Sequence, residues 1–338
     1  MSHEIDQFDG VVLHSKGAWH GLGTVVEEAP TPHKALTLAG LDWGVRQETL
    51  YVKSPNGEDY IAVPSHVANY RADENILLGV VSDGWRPVSN ADMADFCSAL
   101  LENGNVKCET AGSIRNGKRV WFLLKGEPFE IANGDVNFPY ILVSNGHDGS
   151  CSFRVTPTTV RAVCSNTLHM VVPGTDTGQL ASSAIVLRHT ANVMQRVEDA
   201  RHALKHYQSA LEETKEVANM LSHRDVNQED VQRFFLECYT HDFGAVADNP
   251  ANKKEERARD RAKSAFNSFS KRFDDERSIA GASLWNCVNA YSGLVQHDKK
   301  ARGKDDIDRV EKRVDSNLFG LNQTRTQDAL RVAFTMAQ

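Results

Sequence analysis

The chain has 338 residues, 41% of them hydrophobic and 25% charged, which is enough apolar material for two ordinary cores and excludes a disordered composition. Its 45 acidic residues outnumber the 38 basic ones, giving a formal net charge of -7, so a broadly basic nucleic-acid binder is excluded and any such site must be a local patch. No apolar run reaches the roughly 18 residues of a membrane span, and the acidic start Met1-Ser2-His3-Glu4-Ile5-Asp6 is unlike a secretory signal, so no membrane association and a cytoplasmic location are expected.

The first element is a short helix from Pro30 to Leu41, with Thr31 as its cap and Pro32 at its first position. Val45 to Lys53 reads as a strand that stops at the turn Ser54-Pro55-Asn56-Gly57 and forms a hairpin with Tyr60–Tyr70, with Ile76–Val81 as the next strand. Asn90 is placed to cap a helix from Ala91 to Asn103 whose apolar residues share one face. Val106–Leu124 reads as a hairpin about a two-residue type I′ turn at Asn116-Gly117. Strands follow at Tyr140–Val143, Ser152–Val155 and Val160–Val163, before the loop Pro173–Gly178.

From His189 the period changes, and Val193, Val197, Ala200, Leu204, Tyr207, Leu211, Thr214, Ala218 and Leu221 form an apolar seam spaced by fours and threes. The expectation is one helix of about 30 residues, about 45 Å long, packing into a bundle or against the same helix of a second subunit. Asp225 or Asn227 opens another helix, Asn249-Pro250 interrupts the chain, and Lys253–Lys263 is a solvated face of mixed charge. Leu284–Val295 and Ala329–Ala337 read as apolar helices and Asp298–Lys304 as a charged loop. The fold class is therefore α+β: an antiparallel, sheet-rich domain over 1–185 and a helical, bundle-like domain over 186–338, with the long amphipathic helix near 189–222.

Several stretches resemble a family of phage- and plasmid-like proteins grouped as domain of unknown function 932. They are Trp19-His20-Gly21-Leu22-Gly23, Leu78-Gly79-Val80-Val81 with Pro87-Val88-Ser89-Asn90, and Glu109-Thr110-Ala111-Gly112-Ser113 with Val120-Trp121. The core of the resemblance is Ser144-Asn145-Gly146-His147-Asp148-Gly149-Ser150 and Val160-Arg161-Ala162-Val163-Cys164-Ser165-Asn166-Thr167-Leu168, with Arg188-His189-Thr190 and Asp315-Ser316-Asn317-Leu318-Phe319-Gly320 beyond it. The chain departs from the commoner pattern at Gly146 and Ala162, where the family more often has Ser and Val. The resemblance implies a setting in mobile elements, hence work on phage or plasmid DNA in the host-cell cytoplasm, but no mechanism.

Four chemistries merit weighing. Gly112-Ser113-Ile114-Arg115-Asn116-Gly117-Lys118 has the spacing of a phosphate-binding loop, but Arg119 stands where a hydroxyl should meet magnesium and the loop joins two strands, so it reads as a hairpin turn. His147, Asp148, Cys164 and His169 suggest a thiol hydrolase using Cys164 and His147; the structural reading is a tight turn in which Asp148 bonds backbone amides, with Cys164 on a buried strand. Neither that group nor His202 and His206 has a recognised zinc spacing, so no metal, cofactor or catalytic residue is assigned. The six cysteines, Cys97, Cys108, Cys151, Cys164, Cys238 and Cys287, contain no C-x-x-C pair and read as buried free thiols.

The leading expectation is a non-catalytic single-stranded DNA binding or annealing protein. Lys107, Arg115, Lys118, Arg119, Arg154 and Arg161 would neutralise phosphates and Trp121 would offer a stacking face. The order helix, three-strand meander, helix over Pro30–Asn103 is similar, in element order only, to the core of ring-forming annealing proteins. A homo-oligomer built through the long helix belongs to this picture. The alternative is an oligomeric structural protein that binds a host or phage protein partner.

Overall fold

A computed structural model describes residues 11–13, 24–26, 28–131, 134–161, 166–173, 180–197, 200–298 and 302–338. The family-like segment Trp19–Gly23 and the residues Ala162, Val163, Cys164 and Ser165 lie outside the described residues. The chain forms two compact units, each assembled from three segments: 1–127, 140–157 and 184–208 in the first, and 128–139, 158–183 and 209–338 in the second. The α+β class holds, with antiparallel sheets in the N-terminal half and helices in the C-terminal half.

The elements of the first half are β1 (Val11–Leu13), β2 (Thr24–Val25), α1 (Pro32–Leu38), β3 (Val45–Lys53), β4 (Tyr60–Arg71), β5 (Ile76–Ser82), α2 (Asn90–Asn103), β6 (Val106–Ile114), β7 (Arg119–Gly126), β8 (Phe129–Ile131), β9 (Asp135–Gly146), β10 (Phe153–Arg161), β11 (Thr167–His169), β12 (Val171–Pro173), β13 (Leu180–Ser182) and β14 (Ile185–Leu187). Strands β3, β4 and β5 form the expected antiparallel meander between α1 and α2. A larger sheet runs in the order β11-β10-β9-β7-β6-β1-β2, with β14 paired to β10 and β8 to β9. The strand expected at Val160–Val163 is instead the end of β10, which is continuous from Phe153.

Two local expectations need correction. Ser89, not Asn90, caps α2: its hydroxyl accepts from the Asp92 amide at 3.0 Å while the Asp92 carboxylate accepts from the Ser89 amide at 2.9 Å, a capping box that satisfies two orphan donors at once. The β6–β7 turn is longer than two residues, because Ile114 pairs with Arg119 and Arg115, Asn116 and Gly117 all have positive φ, at 58°, 58° and 84°. Gly117 is required there, since an added Cβ would lie 2.6 Å from the Trp43 ring.

The long helix is realised as α3 (Val193–Val197) and α4 (Ala200–Ser222). Its seam residues Leu204, Tyr207, Thr214, Ala218 and Leu221 are buried within the chain. Of the two packings expected of the stripe, the one within the chain covers these residues, while Leu211 is half-buried.

The second unit adds α5 (Gln228–Phe243), α6 (Lys253–Ala280), α7 (Leu284–Gly293) running into a π-helical turn (Leu294–Asp298), α8 (Asp306–Phe319) and α9 (Leu321–Ala337). Asn227 caps α5, accepting from the Glu229 and Asp230 amides. Phe234, Phe235, Phe269 and Tyr291 are each at most 1% exposed and make one aromatic cluster, each side chain contributing roughly 2–3 kcal/mol of burial. Helix α8 falls where no element was expected.

Candidate nucleic-acid interface

The first unit contains two turns of different character, and the signature turn at residues 147–150 is anchored by the buried His147, with Asp148 half-buried and Gly149 and Ser150 exposed. Asn145 Nδ2 donates to the Val88 carbonyl at 2.9 Å, Asn69 Nδ2 donates to the His147 carbonyl at 2.8 Å, and the His147 amide donates to the Lys118 carbonyl at 2.8 Å. The His147 ring lies 2.9 Å through Nε2 from Asn90 Oδ1. Since Asn90 Nδ2 donates to the Leu41 carbonyl at 2.9 Å, its oxygen is the acceptor, which puts the ring proton on Nε2. Asp148 Oδ1 accepts from the Ser150 amide at 2.9 Å, the tight turn read from the sequence. The turn backbone lies against β5 so closely that a Cβ on Gly79 would be 2.7 Å from Asp148 Cα.

Asn69, Asn90, Asn145 and His147 are at most 1% exposed, so these bonds replace water that cannot enter. Burial, then the neighbouring His189, pushes the His147 imidazole down from 6.5 to about 3. It is neutral at physiological pH and out of contact with solvent. These are properties of a scaffold histidine rather than of the accessible base that a thiol hydrolase would use. The second unit repeats the device: Asn166 Nδ2 donates to the Asn289 carbonyl at 2.9 Å. Gln296 there exchanges two hydrogen bonds with the Thr167 backbone.

The other turn, Arg115–Lys118, is the exposed one, and it gathers charge. Arg115 is exposed, while Lys118 and Arg119 are half-buried. Burial pushes the Cys151 thiol up; Arg119, which hydrogen-bonds it, and Arg154 favour the thiolate, while Asp148 opposes it. Arg154 is exposed and lies opposite Val186 of β14, and Arg188, also exposed, follows the end of that strand. Four of the expected cations, Arg115, Lys118, Arg119 and Arg154, thus share one end of the sheet.

The remaining expected residues do not join them. Lys107 is exposed but sits opposite Lys125 at the far end of β6, about 23 Å along the strand from Ile114. Arg161 closes β10 within the second unit. Trp121 is 2% exposed, because β7 is covered on both faces from Val120 to Leu124, so it offers no stacking face. The aromatic ring that the sequence reading missed is Trp85, half-buried and stacked on His189 at 4.3 Å. His189 Nδ1 lies 2.9 Å from the Arg86 carbonyl and its carbonyl accepts from the Arg86 amide, which fixes the loop Trp85-Arg86 beside Arg188-His189. The available signal was an aromatic next to a cation in the loop Gly84-Trp85-Arg86-Pro87.

The thiols follow expectation at four positions: Cys97, Cys108, Cys238 and Cys287 are buried and free, and burial pushes Cys108 and Cys287 up to about 12. Cys151 is only half-buried. His202 and His206 lie on α4, the first exposed and the second half-buried. Among the described residues, His241, Asp242 and Asp328 could converge on a metal ion. Asp242 already accepts from the Tyr291 hydroxyl at 2.6 Å, and Asp328 pairs with Arg331 at 2.6 Å, so their charge is answered within the protein.

The fold and these sites define an α+β protein whose densest sequence signatures are buried polar latches and whose exposed chemistry is a cationic sheet end. The chain belongs to the family described as Domain of unknown function (DUF932), whose model matches residues 77–318. No curated protein and no solved structure matches the chain.

Proposed function

We propose that this is an accessory protein of phage or mobile-element DNA metabolism that binds single-stranded DNA without catalysing a reaction, in the host-cell cytoplasm. The observation that carries the reading is the convergence of Arg115, Lys118, Arg119 and Arg154 on one sheet end, with Arg119 and Arg154 both acting on Cys151. Cations spaced along a surface track phosphates, and an adjacent aromatic face stacks a base; Trp85 takes the stacking role first given to Trp121. The net charge of -7 keeps the patch local, which suits a short single strand better than a wrapped duplex.

The test is binding of a labelled single-stranded oligonucleotide and its duplex at two salt concentrations, with oligomer mass measured on the same sample. The reading expects salt-sensitive preference for the single strand. No binding at low salt overturns it.

A second reading, an oligomeric interaction protein that engages a second copy or a host or phage protein, is favoured by one feature. Tyr51, Val52, Tyr60 and Ile61 on the β3–β4 ribbon are each at least half exposed, Tyr60 at 72%. Apolar residues on both faces of a two-stranded ribbon are unusual in a free monomer. A Tyr60→Asp, Ile61→Asp variant separates the readings, since it should lower the oligomer mass under the second and leave DNA binding by the monomer untouched under the first.

A further inference from the structure

The second unit holds a feature that the DNA-binding reading does not use, a half-open cleft of about 630 Å³ between α5, the following loop and α6. Its size falls in the range of small-molecule sites. The floor is apolar, made by Phe235, Ala262 and Phe266 with Val246 from the loop; Phe235 is 1% and Ala262 6% exposed. The rim is charged. Arg259 and Lys263 stand one turn apart on α6 and both line the cleft, so they face the same side of the helix.

Neither cation is answered by a partner among the described residues. Among the described residues no ion pair involves Arg259 or Lys263, and Arg259 Nε is buried without a hydrogen-bond partner. A buried donor without an acceptor is destabilising, and a ligand oxygen would relieve it. The acid on the lining, Asp248, is exposed, so the cleft is left with an excess of positive charge. A guanidinium matches a carboxylate bidentately, and a lysine one turn away adds a second charge-assisted bond.

The apolar body of the ligand is chosen by the aromatic geometry. The rings of Phe235 and Phe266 are 5.1 Å apart and inclined at 63°, so they do not form the parallel slot that would clamp a flat base on both faces. A flexible aliphatic chain fills such an angular floor better. We infer that this cleft binds a medium-chain aliphatic carboxylate, with the chain on Phe235, Ala262 and Phe266 and the head group on Arg259 and Lys263. The inference is independent of the DNA-binding reading, because every residue in it lies within 209–338 of the second unit.

The experiment is equilibrium titration of the full chain with octanoate, with 1-octanol as the uncharged counterpart and deoxyadenosine monophosphate as the nucleotide counterpart. Saturable binding of octanoate at one site, tighter than that of octanol, is expected. The R259Q/K263Q variant should weaken octanoate by about tenfold or more and leave octanol unchanged, and Ala262→Phe should abolish both by filling the floor. Because Arg259 and Lys263 lie on the rim, the double variant keeps the test alive if Ala262→Phe does not fold. Octanoate that fails to saturate, octanol that binds equally, or a double variant that binds octanoate as before overturns the inference. Tighter binding of the nucleotide than of octanoate overturns its ligand class.

Discussion

The turn at residues 147–150 and the turn at Arg115–Lys118 meet through one hydrogen bond, from the His147 amide to the Lys118 carbonyl, yet they are built for opposite ends. The first is dense in family-like residues and is entered through buried ones, with Asn145 and His147 each at 0% exposure. The second presents Arg115 to solvent, with Lys118 and Arg119 half-buried beside it. The difference teaches that a run of polar signature residues is as readily a latch as an active site. Asn145, Asn69, Asn90 and His147 Nε2 bond Val88, Leu41 and one another, while Asn145 Oδ1 and His147 Nδ1 are buried without a partner, and the His147 amide holds the Lys118 carbonyl. Function then falls to side chains that no dense motif announces.

The largest effects should come from the latch. Gly79→Ala drives a Cβ against the Asp148 backbone, 2.7 Å from its Cα, and backbone cannot yield as a flexible side chain would. The expected loss is about 3 kcal/mol of stability, seen as a lower denaturant midpoint. The same change is nearly neutral if the two turns are independent of β5. Arg115→Gln at the exposed turn should by contrast stay within about 0.5 kcal/mol.

Acid should act on the latch next. An unfolded histidine takes up its proton below about 6.5, whereas folded His147 resists until about 3, with His189 also lowered by burial. The stability that the neutral imidazole confers is therefore full above pH 6.5 and is lost as pH falls toward 3, at up to about 1.4 kcal/mol per pH unit for one proton. Unfolding titrations between pH 7 and 4.5 check this, and His147→Gln, though less stable at pH 7, should show a shallower fall. An identical slope in the variant contradicts the assignment.

A smaller effect links the turn to the cationic end. Gly146, where the family more often has Ser, packs so closely on Cys151 that an added Cβ would overlap its Sγ. Gly146→Ser should destabilise by about 1–2 kcal/mol, and Cys151→Ala should recover part of that loss in a double-mutant cycle. Additive losses would show that the two positions are not coupled.

Much of the fold was legible because its punctuation is strong. The bounds of β3 were read at Val45 and Lys53 because Ser54-Pro55-Asn56-Gly57 can only be a turn, and Thr31 caps α1 as expected. Asn90 was misread as a cap because Asn and Ser are both good caps; only the reciprocal Asp92 favours Ser89, leaving Asn90 free to hold His147. Helix α8 was missed because Asp305, Asp306, Asp308, Arg309, Glu311, Lys312 and Arg313 mask the spaced apolar residues Val310, Val314 and Leu318. The site was less legible. Lys107 and Arg119 look adjacent in a hairpin, but a strand of nine residues separates its ends. The contact of His147 with Asn90 spans 57 positions, a distance that no local pattern reports.

The most direct test of the account is the salt dependence of single-stranded DNA affinity in the protein and in its Arg115→Gln, Lys118→Gln, Arg119→Gln variant. Each phosphate contact on a single strand contributes about 0.7 to the slope of log affinity against log salt. The account predicts weaker binding and a slope shallower by about 2 in the variant, with the thermal stability of the latch retained. Equal affinity and slope in the two proteins would contradict it and remove the cationic sheet end as the DNA site.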